Sequence, residues 1–291
     1  MVYIEDLKSH IGDEVELKGW VYNTRSSGKI SFLIIRDGTG RVQCILYHPD
    51  QSRENLDNFN KLSLETAVEI RGIVKEDKRS PLDVEIDLKK LNIVSESDNY
   101  PITPKEHGPA FLLDNRHLWL RSSKQAAIMR IRSDVIFYAR KFFNERKFLC
   151  IDAPVFTPAA CEGTTTLFET KYFDDTVYLT QSGQLYMEAA AMAYSKVYCF
   201  GPAFRAEKSK TRRHLTEFWQ IEPEVAYMNL EGDMELAEDM IIYIVEKLVK
   251  NRQAEFETLE RDTEPLKNIK KPFERLRYSE AIDILKSIGF E

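Results

Sequence analysis

Hydrophobic and polar positions alternate in short runs over the first third of the chain and shift to a mixture of strand and helix periods beyond it. Between Val15 and Val94 the runs VELKGWVYNTR, KISFLIIRD, RVQCILY, TAVEIRGIV and DVEIDLKKLNIV are rich in β-branched and aromatic residues. Turn residues at Ser26-Ser27-Gly28 and Asp37-Gly38-Thr39-Gly40 separate them. A polar insert from Pro49 to Lys61 reads as a helix between the third and fourth runs. Five strands with a helix at that point predict a small OB-type barrel, a fold that commonly binds single-stranded nucleic acid on the face of its second and third strands. The polar stretch from Ser95 to Pro109 contains three prolines and reads as a linker. The expected division is 1–95 for the barrel, 96–109 for the linker and 110–291 for a second domain.

In that second domain Gln125 to Lys147 has the period of an amphipathic helix, with Ile128, Ile131, Val135 and Phe142 in its apolar stripe. Packing on the chain's own core is its default role, and a dimer interface is the functional alternative. A short strand from Lys147 to Ile151 ends at Asp152-Ala153-Pro154, since Pro154 lacks a backbone donor. TTLFETKYF and TVYLT predict two strands about a turn at Asp174-Asp175. A helix from Gln184 to Tyr194 follows, then strands at Val197–Phe204 and Thr216–Tyr227, a long acidic helix from Leu230 to Leu259, and an amphipathic helix from Tyr278 to Ile288.

Composition narrows the function classes. A chain of 291 residues with 43% apolar and 30% charged residues is long enough for two domains with substantial cores. Its net charge of −6 argues against a generic nucleic-acid coat, and residues 1–95 carry 14 Lys and Arg against 16 Asp and Glu. Any nucleic-acid contact must therefore be local. The strongest local patch is Ala206 to Leu215, where Lys208, Lys210, Arg212, Arg213 and His214 crowd a loop between two apolar strands and suit a polyanion. Cys44, Cys150, Cys161 and Cys199 contain no C-x-x-C pair, which suggests neither zinc nor a disulfide framework and fits a reducing cytoplasm. The N-terminus does not read as a leader, and no apolar run reaches membrane-spanning length, so no membrane partner is expected.

Three residues of the barrel are candidates for a nucleic-acid face. Phe32 could stack an unpaired base, Gln43 could read a base edge and Arg25 could meet phosphate. The plainer reading makes Phe32 a core residue. In the second domain Arg205 and Glu207 follow a strand, where alternation would put both on one face. A guanidinium there could grip a phosphate bidentately, with a carboxylate orienting a ribose, an amine or a metal. On the returning strand, period two separates Phe218 and Glu222 from Glu217, and Phe218 could stack a planar ring. A cross-strand ion pair and an ordinary core phenylalanine are the structural alternatives. Glu162, in a polar loop, means little alone.

The ordered set FRAEKSKTRRHLTEFWQIEPE closely resembles motif 2 of the class II aminoacyl-tRNA synthetases, with its F-R-x-E, variable loop and following E-F. QSGQLYMEAA, EGTTTLFETKYF and E-F-W-Q-I-E-P-E place the resemblance nearest the asparaginyl enzymes, since the aspartyl relatives usually carry Q-S-P-Q before motif 2. Motif 1 is the long helix ending at Pro154, and GWVYNTR to RVQCILY is similar to the family's anticodon-binding OB domain. The resemblance implies an OB-fold barrel followed by an α+β catalytic domain built on an antiparallel sheet with flanking helices, and homodimerisation through the motif 1 region.

The same resemblance implies ATP-dependent formation of asparaginyl-adenylate and transfer to tRNA(Asn), with Mg2+ alongside ATP. By it, Arg205 holds the α-phosphate and Glu207 the adenine amine or the tRNA end. Arg213 and His214 hold the outer phosphates, and Phe218 stacks on adenine. Ser182, Gln184 and Glu162 meet the substrate ammonium group, Glu222 recognises the asparagine side chain, and Phe32 stacks an anticodon base beside Gln43 and Arg25. The glycine-rich third motif with its arginine is not found in the chain, so an N-terminal portion of the enzyme with little activity alone is expected. A non-discriminating aspartyl-tRNA synthetase and a non-catalytic tRNA- or RNA-binding protein with a degenerate synthetase body are the competing readings.

Overall fold

The alternating runs of the first third close on themselves in the computed structural model, which describes residues 2–80, 82–103, 105–161, 166–208, 211 and 213–290. Strands β1 (Glu14–Ser27), β2 (Ile30–Arg36) and β3 (Arg41–Tyr47) form a meander. Helix α1 (Arg53–Asn60) then leads to β4 (Ala67–Glu76) and β5 (Val84–Ser95), completing a barrel in the order β1-β2-β3-β5-β4. Alternation explains the core: Leu17, Leu33, Ile35, Leu46, Ile70, Ile86 and Leu88 all point inward and are almost wholly buried. A short 3-10 turn at Ile4–His10, absent from the sequence reading, adds Ile4 and Leu7 to this core.

Helix α1 is fixed through its first turn. The Ser52 hydroxyl caps it by accepting the Asn55 N–H at 3.1 Å, and the Asn55 side chain donates to Lys89 O and accepts from Leu91 N. A bulge between Val21 and Asn23 changes the parity of β1, so that Trp20 and Arg25 both face outward. Phe32 lies across from Arg25 on the same outer face, half-buried between inward-facing Ser31 and Leu33. The core assignment considered for Phe32 is thereby set aside.

The chain divides into two units at Asp114 and Asn115. The expected linker segment goes with the first unit, where the His107 ring stacks on Phe111 at 4.8 Å at the start of α2 (Pro109–Asp114).

The second unit holds α3 (Arg116–Trp119), α4 (Ser123–Glu145), β6 (Leu149–Cys150), β7 (Phe156–Thr157), β8 (Glu169–Tyr172), β9 (Asp175–Leu179), α5 (Gln184–Tyr194), β10 (Lys196–Phe204) and β11 (Glu217–Val225). After these come α6 (Leu230–Asn251), α7 (Gln253–Thr258), α8 (Glu264–Lys267) and α9 (Tyr278–Ser287). Among the described residues they form two small sheets, β11-β10-β6 and β7-β9-β8. Within the first, β10 and β11 are antiparallel over their full length. One face of this hairpin buries Tyr198 and Phe200 against Ala139, Phe142 and Phe143 of α4, with Leu236 and Met240 of α6 alongside. The opposite face tucks Val197 and Cys199 under Met187 and Ala191 of α5.

Two expectations change here. The acidic helix breaks at Arg252, whose guanidinium forms two hydrogen bonds to Asp134 on α4 at 2.7 and 2.9 Å and so ends α6. On α4 the expected stripe holds at Phe142, which is buried beside Ala139 and Phe143, and Ile131 and Val135 are half-buried, but Ile128 is 42% exposed.

Candidate functional site

The pairing of β10 with β11 sets the floor of the candidate catalytic site. Cys199 lies opposite Glu222, Gly201 opposite Gln220 and Ala203 opposite Phe218, so these six share one face. Small residues on β10 leave room above the sheet, and a β-carbon placed on Gly201 would meet nothing within 4 Å. A cleft of about 220 Å³ reaches this face, where Gly183, Cys199 and Glu222 line it with Asp152 and Ala153, and extends to Phe200, Pro202 and Trp219, which alternation puts on the other face of the hairpin. Arg205 and Phe218 are not among its lining residues.

Glu222 is the best-held side chain of this face. One carboxylate oxygen accepts the Ser182 hydroxyl, and the other accepts the Gly183 N–H at 3.0 Å and the Cys199 thiol at 3.6 Å. Ser182 in turn accepts the Gln184 N–H at 3.0 Å, which ties the carboxylate to the start of α5. Burial, and then the neighbouring carboxylate, pushes the Cys199 thiol up to about 12, so at neutral pH it is a neutral donor and no nucleophile. Gly183 is required by close approach: a β-carbon there would lie 2.5 Å from Cys199 Sγ and 3.0 Å from Ala153 Cβ. Proline at this position would also remove the N–H that Glu222 accepts.

The remaining sequence-derived residues divide. Gln184 is exposed, with its side chain donating to Glu188 at 3.0 Å and Cys161 Sγ 3.6 Å from its Oε1. Glu162, the next residue, lies outside the described residues. Arg205 sits 5.7 Å from the Phe218 ring centroid, and its N–H donates to Thr216 O at 3.0 Å. The strand ends one residue earlier, at Phe204, so strand alternation does not pair Arg205 with Glu207 as expected. Glu207, Arg213 and His214 are exposed along the loop, the last with its ring hydrogen-bonded to Thr211. Sequence reasoning missed Gln220, although its period-two place between Phe218 and Glu222 was there to be read. Its side chain lies on the same face by register, and its Oε1 is buried with no hydrogen-bond partner among the described residues.

The barrel brings its three candidates into direct contact. Arg25 lies 4.2 Å from the Phe32 ring centroid, and one of its guanidinium nitrogens donates to Gln43 Oε1 at 3.3 Å. Close to Gln43 stands Glu85 on β5, a residue the sequence reading passed over although alternation in VEIDL puts it outward; its Oε2 is buried with no hydrogen-bond partner among the described residues. Burial first, then Asp77, holds the Glu85 carboxyl above its ordinary range.

Comparisons with known proteins identify the family. Residues 108–289 match the family profile described as tRNA synthetases class II (D, K and N), and residues 15–94 match an OB-fold nucleic acid binding domain. The chain is 52% identical over 292 residues to an asparagine–tRNA ligase of Sorangium cellulosum, covering 100% of this chain and 66% of that protein. It is 51% identical over 286 residues to that of Desulforamulus reducens, covering 98% of this chain and 66% of the relative. The chain thus spans somewhat less than two thirds of the length of the curated relatives it matches. A crystal structure of asparaginyl-tRNA synthetase from Pyrococcus horikoshii complexed with asparaginyl-adenylate superposes with a TM-score of 0.94 at 41% identity, covering 100% of this chain and 68% of the other. On these grounds the chain belongs to the class II tRNA synthetases of the D, K and N group, with an OB-fold domain preceding the catalytic portion.

Proposed function

We propose that the protein attaches asparagine to tRNA(Asn) in two steps, forming asparaginyl-adenylate from asparagine and ATP and then transferring the asparaginyl group to the terminal ribose. The observation that carries this reading is the clasp on Glu222. A carboxylate offers about four acceptor positions. Ser182, Gly183 and Cys199 take three of them, and the remaining one suits an amide N–H of asparagine. Aspartate would bring a second carboxylate to the same point, so like-charge repulsion separates two nearly isosteric substrates. The asparaginyl-adenylate bound by the Pyrococcus relative supports the same assignment.

The α-carboxylate of asparagine is already ionised at neutral pH and attacks the α-phosphorus without a general base. Catalysis then comes from positioning and charge neutralisation. Arg205 grips the α-phosphate, Phe218 stacks on adenine, and Arg213 and His214 take the outer phosphates as pyrophosphate leaves. Glu207 takes the adenine amine or the tRNA end, and Gln184 and Glu162 take the ammonium group. Ser182, whose hydroxyl is engaged by Glu222 and by the Gln184 N–H, acts by holding Glu222. On the barrel, Phe32 stacks an anticodon base with Gln43 and Arg25 beside it. Association through α4 would cover Ile128, Met129 and Phe137, each more than 40% exposed, and would give a homodimer. Mg2+ would arrive with ATP, an ion commonly held by one or two carboxylates together with the substrate phosphates; no group of three or more His, Cys, Asp or Glu among the described residues could hold a metal, and no step is assigned to one.

The test is ATP–pyrophosphate exchange in the protein at the full length of its relatives, with asparagine and with aspartate. Exchange dependent on asparagine, lowered by Glu222→Gln while ATP binding is retained, is the expected result. Equal loss of asparagine use and ATP binding would remove Glu222 from recognition.

A further inference from the structure

The outward face of β1, β2 and β3 carries three arginine–aromatic pairs, and the group formed by Arg25, Phe32 and Gln43 uses one of them. Arg41 lies 4.4 Å from the Tyr22 ring centroid and Arg36 lies 4.8 Å from that of Trp20. Strand register arranges the face in rows. Trp20, Arg36 and Arg41 stand side by side, then Asn23, Ile34 and Gln43, then Arg25, Phe32 and Ile45. Successive rows lie two residues apart along a strand, about 7 Å. Tyr22 occupies the bulge in β1, and its ring reaches Arg41.

Charge distinguishes these pairs. The Arg36 guanidinium is neutralised by a nearly buried ion pair with Glu65, with Nε donating to the carboxylate at 3.0 Å. Elsewhere on the barrel Lys8, Lys18, Arg71, Lys75 and Arg79 are each matched by a carboxylate. Arg25 and Arg41 form no ion pair among the described residues. Both are exposed, each is backed by an aromatic ring, and the Gln43 row lies between them. A guanidinium held on a ring and left without a counterion suits both a phosphate and the face of a base.

We infer that single-stranded RNA continues past Gln43 onto a second platform, in which Arg41, backed by Tyr22, takes the base and phosphate of a loop nucleotide flanking the anticodon triplet. This rests on the reading of Arg25, Phe32 and Gln43 as the anticodon-binding group. Because every base has a π-face, the platform adds affinity without adding sequence preference.

Fluorescence anisotropy on the whole chain tests it, using a labelled stem-loop RNA with the asparagine anticodon and two versions lacking the base immediately 5′ or 3′ of the triplet. Arg41→Gln should weaken binding of the intact loop about fivefold or more. It should also reduce the slope of log affinity against log salt by about 0.7, as expected for one lost single-strand phosphate contact. Against one of the two abasic loops Arg41→Gln should cause little further loss, and Tyr22→Leu should follow the same pattern. Wild-type affinity and salt slope in Arg41→Gln, or an equal loss with all three RNAs, would overturn the inference. Arg25→Gln and Phe32→Leu should weaken binding to all three; if both bind as wild type does, the anticodon reading itself fails, whatever Arg41 shows.

Discussion

Gly183→Ala probes the contact on which the catalytic reading depends. Gly183 has φ −85° and ψ 0°, angles open to alanine, so backbone strain plays no part. The added β-carbon would start 2.5 Å from Cys199 Sγ, about 1 Å inside normal contact. Cys199 cannot retreat, because β10 is bonded to β11 along its length and its thiol is packed under α5. The start of α5 must move instead, taking the Gly183 N–H and Ser182 hydroxyl away from Glu222. Overpacking of this kind costs about 1–3 kcal/mol, of which the stiffer unfolded chain offsets about 0.4–1 kcal/mol. The net, about 1–2 kcal/mol, lowers the melting temperature of a unit of this size by roughly 2–8 °C. Differential scanning calorimetry reads that shift in the transition of the second unit. In a Cys199→Ala background the sulfur is gone, and the same substitution should cost about 1 kcal/mol less. A variant melting within about 1 °C of wild type, or an equal cost in both backgrounds, would refute the steric argument.

Glu65→Ala should destabilise the barrel by about 3 kcal/mol, because it leaves Arg36 unpaired in a nearly buried place; urea unfolding followed by Trp20 fluorescence would report it. The Glu238 carboxyl is held below its ordinary value, first by the Phe273 N–H and then by Arg275 and Lys271. Its contribution is therefore present above the unfolded value of 4.5 and is lost as pH falls through the lower folded one, and amide exchange in the segment around Phe273 should accelerate over that acid range. Glu238→Gln should abolish that acid dependence. Iodoacetamide at neutral pH should label exposed Cys150 well before Cys199, whose buried thiol titrates only near 12; mass spectrometry of partly labelled protein gives the order.

Much of the barrel was legible because period-two patterning in KISFLIIRD and RVQCILY matches a surface with one buried side. Phe32 was ambiguous for a local reason. Counting by twos from Trp20 turns Thr24 outward and Arg25 inward, and only the bulge at Tyr22 restores Arg25 to the face that Phe32 shares. The motif 2 strands were readable as strands, and the resemblance supplied roles for Arg205, Phe218 and Glu222. What no linear pattern could reveal is the clasp: Ser182 and Gly183 lie some forty positions from Glu222, and strand register alone brings Cys199 opposite it. The break at Arg252 was hidden for the same reason, since its partner Asp134 is on another helix. Period two puts Gln220 on the face of Phe218 and Glu222, but only the structure shows its oxygen buried without a donor among the described residues.

The central claim is that the clasped Glu222 selects an amide over a carboxylate. Calorimetric titration of the protein, at the length of its relatives, with non-hydrolysable asparaginyl- and aspartyl-adenylate analogues tests it most directly. The account predicts a preference for the asparaginyl analogue on the order of a hundredfold or more, most of it lost in Glu222→Gln. Equal affinity for the two analogues, or a preference unchanged in Glu222→Gln, would contradict it.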